Sequence, residues 1–173
     1  MVKKAKYEII KKFDNIEIRK YPELLLAVVE GYKGDSGFNL LFNYISGNNK
    51  TQKKISMTAP VITSEKIEMT APVITSKDYM AFVMPEDYSL NTIPQPNNSE
   101  INIIQKPKAI YAVIRFSGVT NKKRIRKYSQ QLVSEIEQLD LKTKDEPILM
   151  RYNSPFAPGF IRRNELAIEI KNY

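Results

Sequence analysis

The side chains that most often carry chemistry are missing: the 173 residues include no histidine and no cysteine. That removes imidazole-based catalytic triads, the usual zinc ligands, the usual proximal ligand of haem iron, disulfides and thiolate chemistry. Acid–base work would fall to carboxylates, with Glu30, Glu165 and Glu169 as candidates, yet no paired-carboxylate spacing or nucleophile motif accompanies them. Met57 and Met69 are possible soft metal ligands, but their alternation on one strand face reads as apolar filler, and no metal site is expected. The 27 Lys and Arg outnumber the 19 Asp and Glu, and the resulting +8 favours anionic partners without naming one. These cations are scattered, the run from Lys122 to Lys127 is short, and nucleic acid is not an expected partner.

An apolar surface is the stronger signal. A helix is predicted from about Ser36 to Ser46. At about 100° per residue, Phe38, Leu41, Phe42 and Ile45 share a sector of roughly 100°, and Leu40 and Tyr44 widen the arc to roughly 200°. A helix lying on a sheet needs only about half of that. Either loops cover the surplus, or the part around Phe38 and Phe42 lines a cleft for an apolar ligand.

The elements that must position this helix are mostly strands. Alternation over 7–12 and 16–21 with Asp14-Asn15 between predicts a hairpin, and Leu24 to Glu30 is a continuous apolar strand ended by Gly31. Further strands are predicted at Lys54–Ile62, Lys66–Ile74, Tyr79–Met84, Ile101–Gln105, Ile110–Phe116, Ile148–Tyr152 and Glu165–Ile170. A second helix is capped by Thr120, with Ile125, Tyr128, Leu132, Ile136 and Leu139 as its apolar stripe. Strand, helix and later strands follow in the same order in both halves. This predicts an α+β fold, a single domain over 1–173, in which two β-α-β-β repeats form a distorted antiparallel barrel with two flanking helices. The longest apolar run, Leu24–Val29, is far short of the roughly 20 residues that span a bilayer, and no secretory leader is visible. A soluble, cytoplasmic monomer is the expectation.

One segment occurs twice. Lys54-Ile55-Ser56-Met57-Thr58-Ala59-Pro60-Val61-Ile62-Thr63-Ser64 returns twelve residues later as Lys66-Ile67-Glu68-Met69-Thr70-Ala71-Pro72-Val73-Ile74-Thr75-Ser76. An even offset keeps the same side chains on the same strand face, so either copy suits one place in a sheet. One copy is expected in the core sheet and the other in a protruding hairpin, with Pro60 and Pro72 at a strand end, edge or bulge.

The stretch from Phe38 through Tyr44-Ile45-Ser46-Gly47-Asn48-Asn49 to Met57-Thr58-Ala59-Pro60-Val61 resembles the SOUL haem-binding protein family. So do Phe82-Val83-Met84-Pro85, Pro94-Gln95-Pro96, Ala112-Val113-Ile114-Arg115-Phe116-Ser117-Gly118, Tyr152-Asn153-Ser154-Pro155 and Arg162-Arg163-Asn164-Glu165, in order along the chain. The resemblance implies an effector-binding-domain-like fold and non-catalytic binding of haem or protoporphyrin, a small-molecule tetrapyrrole, in a shallow apolar cleft beside the first helix. Histidine ligation is impossible here. The implied contacts are Phe38, Leu41, Phe42 and Ile45, with Phe156 and Phe160 closing the cleft; iron, if ligated, would fall to a Tyr or a Met, as Tyr44 could serve. Lys50, Lys53, Lys54, Arg162 or Arg163 would pair with the propionates, unless Arg162 and Arg163 serve Glu165 instead. Two alternatives stay open: acid–base hydrolysis of a small apolar molecule through Glu30, Glu165 or Glu169, and a protein-interaction role.

Overall fold

The computed structural model describes residues 3–31, 35–53, 61–63, 65–153, 157–171 and 173. In chain order its elements are β1 (Lys3–Lys4), β2 (Glu8–Lys12), β3 (Ile16–Tyr21), β4 (Leu24–Glu30), α1 (Asp35–Ile45), β5 (Asn49–Lys53), β6 (Val61–Thr63), β7 (Thr70–Thr75), β8 (Tyr79–Val83), β9 (Gln95–Pro96), β10 (Ile101–Lys106), β11 (Ala109–Ser117), α2 (Lys122–Gln138), β12 (Ile148–Arg151) and β13 (Arg163–Glu169), with a 3₁₀ turn at Gly159–Ile161.

The fold is α+β, built on a large antiparallel sheet in the order β10-β4-β8-β7-β12-β13-β11-β3-β2, with β1 running parallel along β7. The two halves are visible in it. β4, β8 and β7 carry α1, while β11, β13 and β12 carry α2 in mirrored order, and β7 pairs with β12 where the halves meet. Their leading strands are exchanged: β3 runs into β4 but pairs with β11, and β10 runs into β11 but pairs with β4.

The expected barrel is not closed. The path ends at β10 and β2, and among the described residues no pairing joins them. β2 is exposed along its whole length, carries lysines and shifts register between Ile9 and Lys11, features that discourage a further strand from pairing.

Alternation divides the sheet's side chains between two faces. Leu41 and Ile45 of α1 pack on Ala27, Val29, Val73, Met80 and Phe82, and Leu132 and Ile136 of α2 on Ala112, Ile114, Leu166 and Ile168. The opposite face gathers Tyr21, Leu26, Val28, Ile74, Val83, Tyr111, Met150 and Ala167 into one cluster, with Ala5 and Tyr7 across it.

The second copy of the duplicated segment supplies the core strand β7, with Pro72 in the register shift between Thr70 and Val73. Of the first copy, Val61–Thr63 pairs with β5 in a small separate sheet completed by β9. Residues 54–60, including Met57 and Pro60, lie outside the described residues.

Two caps fix the helices. α1 ends in a Schellman motif: Gly47 at φ +118° allows Gly47 N–H to reach Tyr44 O and Asn48 N–H to reach Asn43 O. α2 is capped by Asn121, whose Oδ1 accepts from Arg124 N–H at 2.9 Å, and not by Thr120, which stands one residue too early to reach that amide. Asn121→Ala should therefore cost about 1 kcal/mol and lower the melting temperature by about 2–4 °C, while Thr120→Ala leaves it unchanged. Thermal circular dichroism on both variants checks this, and equal losses would return the cap to Thr120.

Candidate functional site

A groove of about 350 Å³ lies on the helix-bearing face, where β7 meets β12, between the start of α1 and the loops beside α2. One wall is apolar: Phe38 from α1, Met69 ahead of β7, Val73 from β7 and Met80 from β8. The other carries Arg151 from β12 and Arg162 after the 3₁₀ turn, with Thr75, Thr120, Asn153 and Asn164 beside them, and Asp35 at the start of α1 adds one carboxylate to the lining. Alternation explains the mixture, because Met150 and Tyr152 point to the opposite face and leave Arg151 on the groove side.

Phe38 is half-buried, edge-on to Phe82 at 5.3 Å, and stacked against Phe42 one turn on at 6.0 Å. Phe42 is 46% exposed. The surplus of the apolar arc is thus these two rings. Leu41, Tyr44 and Ile45 are turned into the core, so the expectation that they contact a ligand is corrected: the sheet under α1 takes them. Tyr44 is further tied by its hydroxyl, which donates to Pro94 O at 2.7 Å, so it is not placed to meet iron. Asn49 bonds Tyr44 O and both backbone groups of Glu65, fixing the helix end.

The two adjacent arginines separate. Arg163 goes to Glu165, its Nη2 2.6 Å from Oε1, as one expectation had it. Arg162 faces the groove, its Nε donating to Ala157 O at 2.8 Å. Arg151 donates a long 3.4 Å bond to Thr75 Oγ1 and makes no ion pair among the described residues. Burial lowers its pKa, the charge of Asp35 offsets part of this, and the guanidinium remains a cation at neutral pH. Lys50 is exposed on β5 and does not line the groove. Phe160 is 81% exposed and does not close it. Lys54 and Phe156 lie outside the described residues, and Lys53 carries no described side chain.

The opposite face holds a buried charge cluster. Glu165, fully enclosed, accepts from Arg19 Nη1 at 2.7 Å and Nη2 at 3.2 Å as well as from Arg163. Arg19 lies 4.2 Å from the Tyr7 ring centroid, and Arg163 the same distance from that of Tyr152. Burial alone would raise the Glu165 pKa, but the bonds and charges of Arg19 and then Arg163 outweigh it and hold the carboxyl below its usual value. Glu169 is likewise lowered: burial opposes, and Lys144 and Lys106 prevail. Glu30 is exposed at the end of β4. None of the three lines the groove.

Reasoning from sequence missed Arg151, Val73 and Met80. The available signal was an arginine inside the otherwise apolar strand 148–152.

Similar solved structures share the fold alone. The EcmrR C-terminal domain superposes with a TM-score of 0.59 at 8% identity, covering 96% of this chain and 99% of that one. A hydrolase from Listeria innocua gives 0.59 at 9%, with 94% of each chain covered. The EcmrR chain of an EcmrR–DNA complex gives 0.56 at 7%, covering 91% of this chain and 57% of that one. Comparison with curated proteins gives no match. The family model described as SOUL heme-binding protein matches residues 2–169.

Proposed function

Since the chain belongs to the SOUL heme-binding protein family, we propose that it binds haem or a related tetrapyrrole, without catalysis, in the groove beside α1. The observation that carries this is the groove's division into an apolar wall and a cationic one. A tetrapyrrole is a flat apolar ring with carboxylates on one edge. Its ring suits Phe38, Met69, Val73 and Met80, and its carboxylates suit Arg151 and Arg162. Arg151 makes no ion pair among the described residues, and although the charge of Asp35, which shares the groove, reaches it, its guanidinium can still take a carboxylate brought by a ligand.

The residues fit the macrocycle better than the metal. No imidazole exists in the chain, Tyr44 is engaged with Pro94, and the soft atoms the groove offers are the weakly ligating thioethers of Met69 and Met80. Affinity in this reading comes from apolar contact and paired charge, so the iron contributes little. The acid–base alternative finds less support, because Glu165 is held ionised between two guanidiniums and lies across the sheet from the groove.

Titration of haem by absorbance and of protoporphyrin by its own emission tests the reading. Both should saturate below about 100 μM, with dissociation constants within about threefold of each other. Phe38→Ala should weaken both about tenfold. No saturation for either compound sinks the proposal.

A further inference from the structure

We propose that this protein docks on anionic lipid bilayers through the apolar tip formed by Val119, Phe160 and Ile161 and the cationic start of α2. The tip is built from two loops held together. Gly118 N–H donates to Arg162 O at 3.0 Å, Asn164 Nδ2 donates to Gly118 O at 2.7 Å, and a Cβ on Gly159 would lie 2.7 Å from Val119 Cγ2. Phe160 is 81% exposed, and Val119 and Ile161 are 53% exposed each, the three largest exposures among the large apolar side chains of the described residues. Neighbouring large apolar groups left in water at a loop tip mark a surface that something apolar covers.

Charge complementarity selects the occupant. From Lys122 to Lys127 the chain carries five cations, and the first carboxylate after Val119 is Glu135. Lys122, Lys123, Arg126 and Lys127 form no ion pair among the described residues, and the first turn of α2 holds no acid, so these charges oppose the helix dipole unaided. Arg124 is folded back, its Nη2 donating to Ser117 O, which fixes the helix start against the tip. An exposed apolar tip beside a run of cations that lack carboxylate partners is an arrangement that inserts into the headgroup region of an anionic membrane. A polar partner such as nucleic acid would satisfy the cations and leave the wedge in water.

The consequence for the groove rests on the tetrapyrrole reading above. Thr120 follows Val119 and Arg162 follows Ile161, and both line the groove, so docking brings its mouth to the bilayer, where flat amphipathic molecules partition.

The chain has no tryptophan, so Phe160→Trp provides a single reporter. Its emission should shift to the blue on vesicles of phosphatidylcholine with about 30% phosphatidylglycerol, and not on phosphatidylcholine alone. In co-sedimentation, Phe160→Ser with Ile161→Ser should weaken binding to the anionic vesicles at least about tenfold, and Lys122→Glu with Lys123→Glu by a similar factor. Protoporphyrin titration without vesicles should be unchanged in both double variants, which separates failure of docking from failure of the groove. The proposal is overturned by unshifted emission, by undiminished binding of the Ser/Ser variant, or by retention on duplex DNA with no vesicle binding.

Discussion

Replacing Glu165 by alanine should lower the melting temperature by roughly 6–20 °C, the largest effect expected of any single substitution. The carboxylate is fully enclosed and satisfies two guanidiniums at once. Without it, buried Arg19 and half-buried Arg163 face each other as like charges. Loss of one partner from such a cluster costs about 3–5 kcal/mol, against a total stability of about 5–15 kcal/mol for most domains. Glu17 stays bonded to Arg19 Nε at 2.8 Å but compensates one arginine only. Thermal unfolding measures the effect, and a drop under about 2 °C would show that water replaces the carboxylate. Acidification provides a second readout. The folded Glu165 sits below its ordinary value of 4.5, so its stabilising effect is complete above about pH 4.5 and is lost as the pH falls through the folded value. Glu169 acts in the same sense in both proteins. The wild type should therefore lose more stability between neutral pH and pH values under about 4 than the alanine variant does.

Substituting both groove arginines, Arg151→Gln with Arg162→Gln, should weaken protoporphyrin binding by between about a hundredfold and ten-thousandfold. Each charge-assisted hydrogen bond to a carboxylate contributes about 1.5–3 kcal/mol, and every 1.4 kcal/mol is about a factor of ten. The dimethyl ester of the same porphyrin has no such bond to lose, and its affinity should stay within about threefold across the two proteins. Equal binding of the diacid by wild type and double variant would mean that the propionates point to water, and the cationic wall would then have another purpose.

Much of the frame was legible before any coordinates. Period-2 alternation located the strands of the main sheet, the stripe from Ile125 to Leu139 located α2, and the like order of the halves anticipated the mirrored runs β4-β8-β7 and β12-β13-β11. Pairing was less legible. Alternation says which side chains share a face and not which strand lies alongside, so β3 beside β11 had no local signature, and neither did the Arg19–Glu165 contact between residues 146 apart. The wide arc of α1 likewise gave relative angles without an absolute orientation. It announced a surplus, and only the position of the sheet decided that Leu41, Tyr44 and Ile45 go inside while Phe38 lines the groove and Phe42 stays exposed outside it. Arg151 escaped because one cation in a short apolar strand is equally expected at a solvent-facing position.

The exchange of β3 and β10 between the halves bears on how the molecule is made. As the nascent chain leaves the ribosome, its first half emerges with β3 unable to find β11 and with one border of β4 still bare. β3 still pairs with β2 and β4 with β8, but the partners of their other borders, β11 and β10, arrive only with residues beyond 100, so those two borders stay open until the second half is made. Cutting the gene between its two similar segments would yield two incomplete pieces, each missing the border strand that the other keeps.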